Sequence, residues 1–220
     1  MNHWEDFLVP YKQAVEELKV KFKGMRSQFI LENNHSPIEF VTGRVKPVAS
    51  ILDKATKKEI SLDCLAEEMQ DIAGLRMMCQ FVDDIEVVVE LMRQRSDFRI
   101  IEERDYIANK KPSGYRSYHV VIEYPVETIQ GTEKLLVEIQ IRTLAMNFWA
   151  TIEHSMNYKY QGGFPEAINT RLKRAAEAAY QLDEEMRQIR EEVRDAQVFF
   201  SKNKDVIKAQ NTVHHEIPKQ

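Results

Sequence analysis

The stretch LLVEIQIR at residues 135–142 alternates apolar and polar side chains, and this alternation decides the fold. Successive side chains of a β-strand point to opposite faces of a sheet. On the odd positions the face is purely apolar: Leu135, Val137, Ile139 and Ile141. On the even face, Leu136 is followed by Glu138, Gln140 and Arg142. The sequence therefore predicts a half-buried strand with one core face and one face that can meet a ligand.

Two other β-rich runs show the same separation of apolar and polar residues. Residues 117–124 place Ser117, His119 and Glu123 on one face, and residues 75–81 place Arg76 and Gln80 on one face. The solvated side of a half-exposed antiparallel sheet would give the same pattern. Alternation alone therefore predicts polar sheet faces without identifying a ligand site.

Helical and extended patterns follow each other along the rest of the chain. The turn signal Gln130-Gly131 separates two predicted strands and favours an antiparallel hairpin. A further strand is predicted at residues 98–103, and helices are predicted at residues 7–28, 84–95 and 145–158. This mixture predicts an α+β fold in which helices flank a mixed sheet.

A helix start signal and a proline stand close together near residue 40. Ser36, Pro37 and Glu39 combine an N-cap residue, a proline at the first helical position and a capping-box acid, so we predict a helix from Pro37. Pro47 lacks an amide donor, so that helix should break between residues 43 and 47. Beyond the break, one helix face repeats groups suited to anions at i, i+4 and i+7: Ser50, Lys54 and Lys57.

A long charged helix is predicted from Pro165 onward. Its apolar residues recur at alternating intervals of three and four, which is the heptad seam of a helix that packs along another helix. The seam consists of Leu172, Ala175, Ala179, Leu182, Met186, Ile189, Val193, Ala196 and Phe200. It could serve self-association or close onto its own domain. We predict a single domain at residues 1–200 and a flexible tail at residues 201–220.

Composition limits the classes of protein to which the chain can belong. The 220 residues carry a formal net charge of −4, so any polyanionic ligand must be met by a local cluster of cations. The two cysteines lack CxxC spacing, which favours a reducing, cytoplasmic location. The N-terminus does not resemble a signal peptide, and no apolar run reaches the ~18 residues that a membrane span requires.

The segment KKPSGYRS at residues 110–117 combines cations, a glycine and a tyrosine directly before a strand. Such a loop suits a phosphorylated, aromatic ligand. Asp71 and Glu138 could supply two carboxylates to one cation. Hard oxygen ligands beside several cations indicate Mg²⁺-dependent chemistry on nucleotides. The chain contains neither GxxxxGK[ST] nor GxGxxG, which excludes P-loop and Rossmann interpretations.

Four stretches resemble the small alarmone synthetases of the RelA/SpoT homologue family. They are EFVTGRVKPVASILDK (39–54), QDIAGLRMMCQF (70–81), KPSGYRSYHVV (111–121) and VEIQIRTLAMNFWATIEHSMNYKY (137–160). The resemblance extends from about residue 5 to about residue 200. It implies a nucleotidyltransferase-like fold and transfer of the β,γ-pyrophosphate of ATP to the 3′-hydroxyl of GTP or GDP. The products would be AMP and the stringent-response alarmones pppGpp or ppGpp.

The resemblance also implies roles for the residues on the ATP side. Arg44 and Arg76 would stack on the adenine from both sides. The triphosphate would be held by Lys46, Ser50 and Lys54, with Lys57 as an addition. Asp71 and Glu138 resemble the Mg²⁺ ligands of the family, and Glu138 is also the candidate for the base that accepts the 3′-hydroxyl proton.

On the acceptor side, Tyr115 would stack on guanine. The residues expected to position the base, ribose or phosphates are Lys111, His119, Gln140, Arg142, Asn147 and Glu153. Two simpler interpretations stay open. His119 could be a structural hydrogen-bonding residue, and Arg142 could form a salt bridge with Glu138 along the same strand face.

Family members imply assembly and regulation as well. The resemblance suggests a homotetramer that binds product alarmone or single-stranded RNA in a central cleft. A regulatory guanine-nucleotide site would include Lys19, Lys23, Arg26, Phe40, Thr42 and Gly43, although a solvated basic helix end explains the lysines equally well. No His-Asp dipeptide of a hydrolase domain occurs, so we expect synthesis of alarmone without degradation.

Two other functions are compatible with the same fold. One is a catalytically silent guanine-nucleotide or RNA-binding regulator, against which the intact pair Asp71 and Glu138 counts. The other is a nucleotidyltransferase that transfers AMP and releases pyrophosphate. Identification of the reaction products separates these functions from pyrophosphate transfer.

Overall fold

The computed structural model describes residues 3–32, 35–160 and 164–213, without the side chains of residues 3, 157–159 and 201–213. The helices are α1 (His3–Leu31), α2 (Val48–Lys58), the short α3 (Leu65–Glu68), α4 (Val82–Arg93), α5 (Leu144–Lys159) and α6 (Glu166–Val213). The strands are β1 (Phe40–Val45), β2 (Ala73–Cys79), β3 (Arg99–Asp105), β4 (Tyr118–Thr128) and β5 (Gly131–Thr143). None of the described helices has the length and apolarity that crossing a membrane requires.

The strands form one mixed sheet in the order β1-β2-β5-β4-β3. Strands β2 and β5 run parallel, while the other neighbours are antiparallel. Strands β4 and β5 form the predicted hairpin, and Gly131 at its turn adopts a φ of +116°, which favours glycine. The α+β prediction with a mixed sheet is therefore confirmed.

The main hydrophobic core lies on one face of the sheet and is closed by α1. In β5, Val137, Ile139 and Ile141 are fully buried, as the alternation predicts, and in α1 Leu18 and Phe22 are fully buried. Burying an aliphatic or aromatic side chain stabilises a fold by about 1.5–3 kcal/mol. This packing fixes which face of the sheet is occupied and leaves the opposite, polar face available for ligands.

The helix predicted from Pro37 is wrong, because this segment leads into β1. Ser36 Oγ accepts from the Ile38 amide and donates to the Ile38 carbonyl, so it makes a local turn instead of an N-cap. The Glu39 amide donates to the Met78 carbonyl, which starts the antiparallel pairing with β2. Pairing with β2 and burial of Val41 outweigh the local helix signals.

The predicted break around residues 43–47 is the junction between β1 and α2. Gly43 allows β1 to approach α1, since a Cβ there would lie 2.7 Å from Val15 Cγ1. Pro47 precedes the first residue of α2 with extended backbone angles (φ −59°, ψ 144°). Its ring therefore ends the strand and starts the helix, and no kinked continuous helix exists.

Helix α6 continues to Val213, beyond Ser201 where we expected a tail to begin, while residues 214–220 lie outside the described residues. The residues of α6 that dock on the domain include Ala176 and Asp183, both 5% exposed. Much of the predicted seam remains exposed: Leu182, Met186, Ile189, Val193 and Phe200. The domain boundary at residue 200 stays a prediction.

Asp183 links α6 to the start of α5 and makes stability depend on pH. The Thr143 hydroxyl, which caps α5, donates to Asp183 Oδ2 over 2.6 Å. Burial raises the pKa of Asp183 to about 6, although the Thr143 hydrogen bond opposes this shift. The folded chain thus holds the proton more tightly than the unfolded chain, and stability is lost as pH rises from 3.8 to about 6.

Asp183→Asn should remove this loss, because asparagine stays neutral and its carbonyl can accept from Thr143. The free energy of unfolding of the variant minus that of the natural chain should therefore increase by about 2–3 kcal/mol from pH 4 to pH 7. Urea unfolding at both pH values measures the gain. An equal difference between the two proteins at pH 4 and pH 7 would contradict the assignment.

Candidate active site

The polar faces of neighbouring strands meet in register on the side of the sheet opposite α1. Gly74 of β2 lies between Arg44 of β1 and Glu138 of β5. In the adjacent row, Arg76 of β2 pairs with Gln140 of β5, and Gln140 pairs with His119 of β4. The residue parity predicted from the sequence therefore brings the candidate ATP residues, carboxylates and acceptor residues onto one surface.

A cleft of about 200 Å³ opens on the β1–β2–β5 part of this surface. Gly74 lies on its floor and contributes only backbone, and a Cβ at this position would lie 3.9 Å from the Glu138 carbonyl oxygen. A side chain here would therefore fill the cleft without a backbone clash. The residues that line it are Thr42, Gly43, Arg44, Asp71, Gly74, Leu75, Arg76, Glu138 and Gln140.

Asp71 lies where the chain enters β2 and pairs with two lysines. Its Oδ2 atom accepts from Lys46 Nζ at 2.9 Å and from Lys54 Nζ at 2.8 Å. Burial raises the pKa of Asp71, but the two lysines outweigh burial and hold this pKa below its ordinary value. Asp71 is consequently ionised at neutral pH, and it holds the ammonium groups of Lys46 and Lys54 beside the cleft.

Glu138 lies in the middle of β5 and is held at both carboxylate oxygens. His119 Nδ1 lies 3.2 Å from Oε1, and Gln140 Nε2 donates to Oε2 at 2.8 Å. Burial raises the pKa of Glu138, but the hydrogen bond and charge of His119, with Gln140, lower it below the ordinary value. Because an ionised carboxylate only accepts hydrogen bonds, His119 carries its proton on Nδ1.

Arg44 and Arg76 line the cleft on adjacent strands. Within the described part of the chain, neither guanidinium has a hydrogen bond or an ion pair. Burial together with repulsion from Arg142 and Arg44 lowers the pKa of Arg76. Two unpaired guanidinium planes suit the stacking of a purine base, where they need no carboxylate partner.

A second cluster surrounds Tyr115, next to Glu138. The Tyr115 hydroxyl lies 2.7 Å from His119 Nε2 and accepts from Arg142 Nη2 at 2.6 Å. Lys111 Nζ lies 5.1 Å from the centre of the Tyr115 ring. His119 therefore bridges Tyr115 and Glu138, and the cluster joins the candidate acceptor site to the carboxylate.

The two simpler interpretations have different outcomes. Arg142 donates to Tyr115, Gln140 and Ser117, and no described ion pair joins it to Glu138, so the salt-bridge alternative is wrong. His119 is 6% exposed and does form hydrogen bonds on both ring nitrogens. Both partners are candidate site residues, so the structural interpretation of His119 stays open and its role in the site stays a prediction.

The described residues can be tested for their fit to Mg²⁺. Asp71 Oδ1 is buried and has no hydrogen-bond partner among the described residues, so its lone pairs are available to a cation. Glu138 lies close enough for the Asp71 charge to raise its pKa. No described group of three metal-ligating side chains exists. Two carboxylates fit Mg²⁺, which typically takes its other ligands from phosphates and water.

Several predicted residues lie outside these contacts. Ser50 is exposed on α2, and Lys57 Nζ pairs with Asp53 at 2.8 Å instead of Asp71. Asn147 Oδ1 lies 3.5 Å from Arg142 Nη1, at the edge of the acceptor cluster. Glu153 is half-buried further along α5. The roles of these residues stay predictions.

The residues expected in the regulatory site are divided between two faces of β1. Gly43 packs against α1 at Val15. The side chains of Thr42 and Phe40 share the opposite, exposed face, and Thr42 lines the cleft together with Gly43. The basic members lie on α1: Lys19, Lys23 and Arg26. The regulatory role of this set stays a prediction.

Sequence reasoning missed three residues beside the site. Gly74 could not be predicted, because a glycine contributes to a cleft only by lacking a side chain, and this matters only once its neighbours in the sheet are known. Arg104 pairs with His119 across β3 and β4 and is close enough to Glu138 for that charge to raise its pKa. The Tyr106 ring lies 5.1 Å from the His119 ring. The strand predicted at residues 98–103 ends one residue before Arg104, and a register shift between Ile100 and Glu102 interrupts the alternation of β3.

The chain is similar to known proteins in sequence and in structure. The region found in RelA/SpoT proteins matches residues 43–163. GTP pyrophosphokinase YjbM of Bacillus subtilis strain 168 is 65% identical over 203 residues, covering 92% of this chain and 96% of that protein.

Two solved structures of small alarmone synthetase 1 from Bacillus subtilis are similar to this chain over most of its length. The structure bound to its product pppGpp has a TM-score of 0.85 at 65% identity and covers 88% of this chain and 99% of that chain. The structure bound to AMPCPP has a TM-score of 0.79 at 59% identity and covers 89% of this chain and 100% of that chain.

Proposed function

Because this chain belongs to the RelA/SpoT family and is 65% identical to a GTP pyrophosphokinase over most of its length, we propose that it makes pppGpp from ATP and GTP. The chain is a GTP pyrophosphokinase, and GDP as acceptor would give ppGpp. One structural observation supports the proposal above others: His119 connects the acceptor cluster at Tyr115 to a carboxylate that lines the guanidinium cleft. The silent-regulator alternative is not favoured.

The ATP half of the site would lie in the cleft. Arg44 and Arg76 would stack on the adenine, as their unpaired guanidinium groups allow. Lys46 and Lys54 would hold the triphosphate, with Ser50 and Lys57 further along α2. These cations concentrate positive charge at one place in a chain with a net charge of −4, so a local cluster can bind the triphosphate.

Bond changes in the reaction can be followed atom by atom. The 3′-oxygen of GTP attacks the β-phosphorus of ATP, the bond from that phosphorus to the α,β-bridging oxygen breaks, and AMP leaves with this oxygen. Glu138 accepts the 3′-hydroxyl proton, and His119 keeps its carboxylate oriented. Mg²⁺ would be held by Asp71 and Glu138 and supplies neutralisation of phosphate charge when bound.

The guanine half of the site would surround Tyr115. The half-buried ring of Tyr115 can stack on guanine, and its hydroxyl is oriented by His119 and Arg142. The Lys111 ammonium lies over the rings of Tyr106 and Tyr115 and can contact the acceptor phosphates. The other proposed contacts are Gln140, Asn147 and Glu153.

Product identification tests the proposed reaction directly. Purified protein incubated with ATP, GTP and Mg²⁺ should yield equal amounts of AMP and pppGpp on anion-exchange chromatography. Release of pyrophosphate in place of AMP would indicate nucleotidyl transfer. Unchanged nucleotides, also in the presence of added pppGpp, would contradict the proposal.

Tyr115→Ala should raise the KM for GTP about tenfold to a hundredfold, the usual effect of losing one base–aromatic stack. The KM for ATP should change less than about twofold, since Tyr115 does not line the ATP cleft. Tyr115→Phe is the control, because it keeps the ring and loses only the hydroxyl contacts. Initial rates with each nucleotide varied in turn measure both constants, and a rise confined to the KM for ATP would contradict the assignment.

We also propose self-association through the exposed seam of α6, with a homotetramer as the expected assembly. Leu182, Met186 and Ile189 are 55%, 44% and 43% exposed in the single chain, which is unusual for a periodic apolar row. Ile189→Lys should lower the mass measured by light scattering. Glu192→Lys, off the seam, is the matched control and should leave the mass unchanged. An unchanged mass in Ile189→Lys would contradict a role for the seam.

We expect the reaction to take place in the cytoplasm, where ATP and GTP are available. Product alarmone or single-stranded RNA remains the proposed effector, bound at Lys19, Lys23, Arg26, Phe40, Thr42 and Gly43. Measuring activation by added pppGpp in a Lys23→Met variant tests that site. Undiminished activation would contradict it.

A further inference from the structure

Helix α6 holds the segment that carries the proposed guanine contacts. This segment, the acceptor loop, comprises residues 106–117 between β3 and β4. Within it, the Lys111 amide donates to the Tyr115 carbonyl over 3.2 Å, and the Gly114 amide donates to the Lys111 carbonyl over 2.8 Å. Lys111 and Tyr115 are therefore parts of one hydrogen-bonded turn, and whatever holds the turn positions both.

Glu177 of α6 contacts the acceptor loop on both sides of this turn. Its Oε2 atom accepts from Lys110 Nζ at 3.2 Å and from Arg116 Nη2 at 3.1 Å. These two residues directly flank Lys111 and Tyr115 in the sequence. Hydrogen bonds from Arg116, Lys110 and Gln181 lower the pKa of Glu177 to about 2, so the carboxylate is ionised throughout the range in which enzymes work.

Packing against α6 reinforces these ion pairs. Gly114 has a φ of +92°, and a Cβ there would lie 2.7 Å from the Ala176 Cβ, so the loop backbone rests directly on the helix. The Arg116 guanidinium lies 4.2 Å from the centre of the Tyr180 ring. Loop and helix therefore touch along successive turns of α6, at residues that face the domain.

Arg116 depends on Glu177 for its hydrogen bonding. Its side chain is 7% exposed, and its Nε and Nη1 atoms are buried without a hydrogen-bond partner among the described residues. A buried guanidinium that loses its carboxylate would keep its desolvation cost without compensation. Neutralising Glu177 should therefore release this end of the acceptor loop from α6.

We propose that Glu177 is a positioning residue for the guanine nucleotide: it clamps the acceptor loop to α6 and so sets acceptor affinity without touching the acceptor. Because α6 also carries the exposed seam, the clamp makes acceptor binding sensitive to how α6 is held. The inference rests on the proposed function for the identity of the acceptor. The contacts of the clamp itself are independent of that identity.

Glu177→Gln tests the clamp, since it keeps the shape of the side chain and removes its charge. The KM for GTP should rise about fivefold to tenfold, as for a lost charge-assisted contact, while kcat and the KM for ATP change less than about twofold. Glu185→Gln makes the same change on an exposed position of α6 and should leave all three constants unchanged. A parallel rise in the KM for both nucleotides, or no rise, would overturn the inference.

Hydrogen exchange gives a second readout that needs no turnover. In Glu177→Gln, amide protons of residues 106–117 should exchange several-fold faster, with β4 and β5 unchanged, and Glu185→Gln should match the natural chain. Unchanged exchange in the acceptor loop would overturn the clamp even if the chain makes pppGpp. Faster exchange in a chain that makes no pppGpp would support the clamp and contradict the proposed function.

Discussion

Glu138→Gln should reduce kcat about a thousandfold while leaving the nucleotides bound. General-base contributions are typically 10²–10⁴-fold, and glutamine removes both the proton acceptor and one of the two proposed metal ligands. The amide carbonyl can still accept from His119, so the bridge to Tyr115 should survive. Single-turnover assays measure the chemical step, and equilibrium titration with fluorescent GTP measures binding.

Glu133→Gln on the same strand is the matched control, because Glu133 lies outside the cleft and the acceptor cluster. It should keep full activity. More than about a tenth of the natural activity in Glu138→Gln would exclude this residue as the base. The lowered pKa of Glu138 predicts one more result: activity that depends on its ionisation should fall only as pH drops below 4.5.

Asp71→Asn should reduce activity at least a hundredfold through loss of a proposed Mg²⁺ ligand. Its effect on ATP binding should depend on Mg²⁺. Without Mg²⁺, ATP should bind the variant as tightly as the natural chain or more tightly, because Lys46 and Lys54 no longer pair with a carboxylate. Adding Mg²⁺ should raise the ATP affinity of the natural chain, and this rise should be absent in the variant. Calorimetric titration with and without EDTA measures both affinities.

Asp53→Asn is the control for Asp71→Asn. Asp53 is an exposed carboxylate on α2 that pairs with Lys57, so its removal changes the net charge by the same amount. This variant should retain the Mg²⁺-dependent gain in ATP affinity. If Asp71→Asn also retained that gain, Asp71 would not be a metal ligand.

Sheet faces and the active-site cluster could be predicted because both follow from local alternation. In β5, the parity of residues 135–142 alone separates Ile139, which is buried, from Glu138, which faces the cleft. The resemblance then supplied roles for residues that geometry brings together. Hydrogen-bond partners were beyond this reasoning: Arg142 contacts Tyr115 across 27 positions, and no sequence pattern specifies such a pair.

Failures of prediction have physical causes in long-range contacts. Around residue 40, local helix signals compete with strand pairing, and the pairing partner Met78 lies too far along the chain for a local pattern to include it. Glu177 resembled any acid on a charged helix until Lys110 and Arg116 were found beside it.

The strand order has an evolutionary consequence. Central strand β5 carries Glu138. The proposed adenine contacts Arg44 and Arg76 lie on one side of it in β1 and β2, and the proposed guanine contacts Tyr115 and His119 lie on the other side in the acceptor loop and β4. These two groups of proposed contacts therefore lie on separate stretches of the chain, on either side of β5. We therefore expect substitutions in the acceptor loop to alter the choice of guanine nucleotide and to leave the proposed ATP half unchanged, so that acceptor preference can diverge separately.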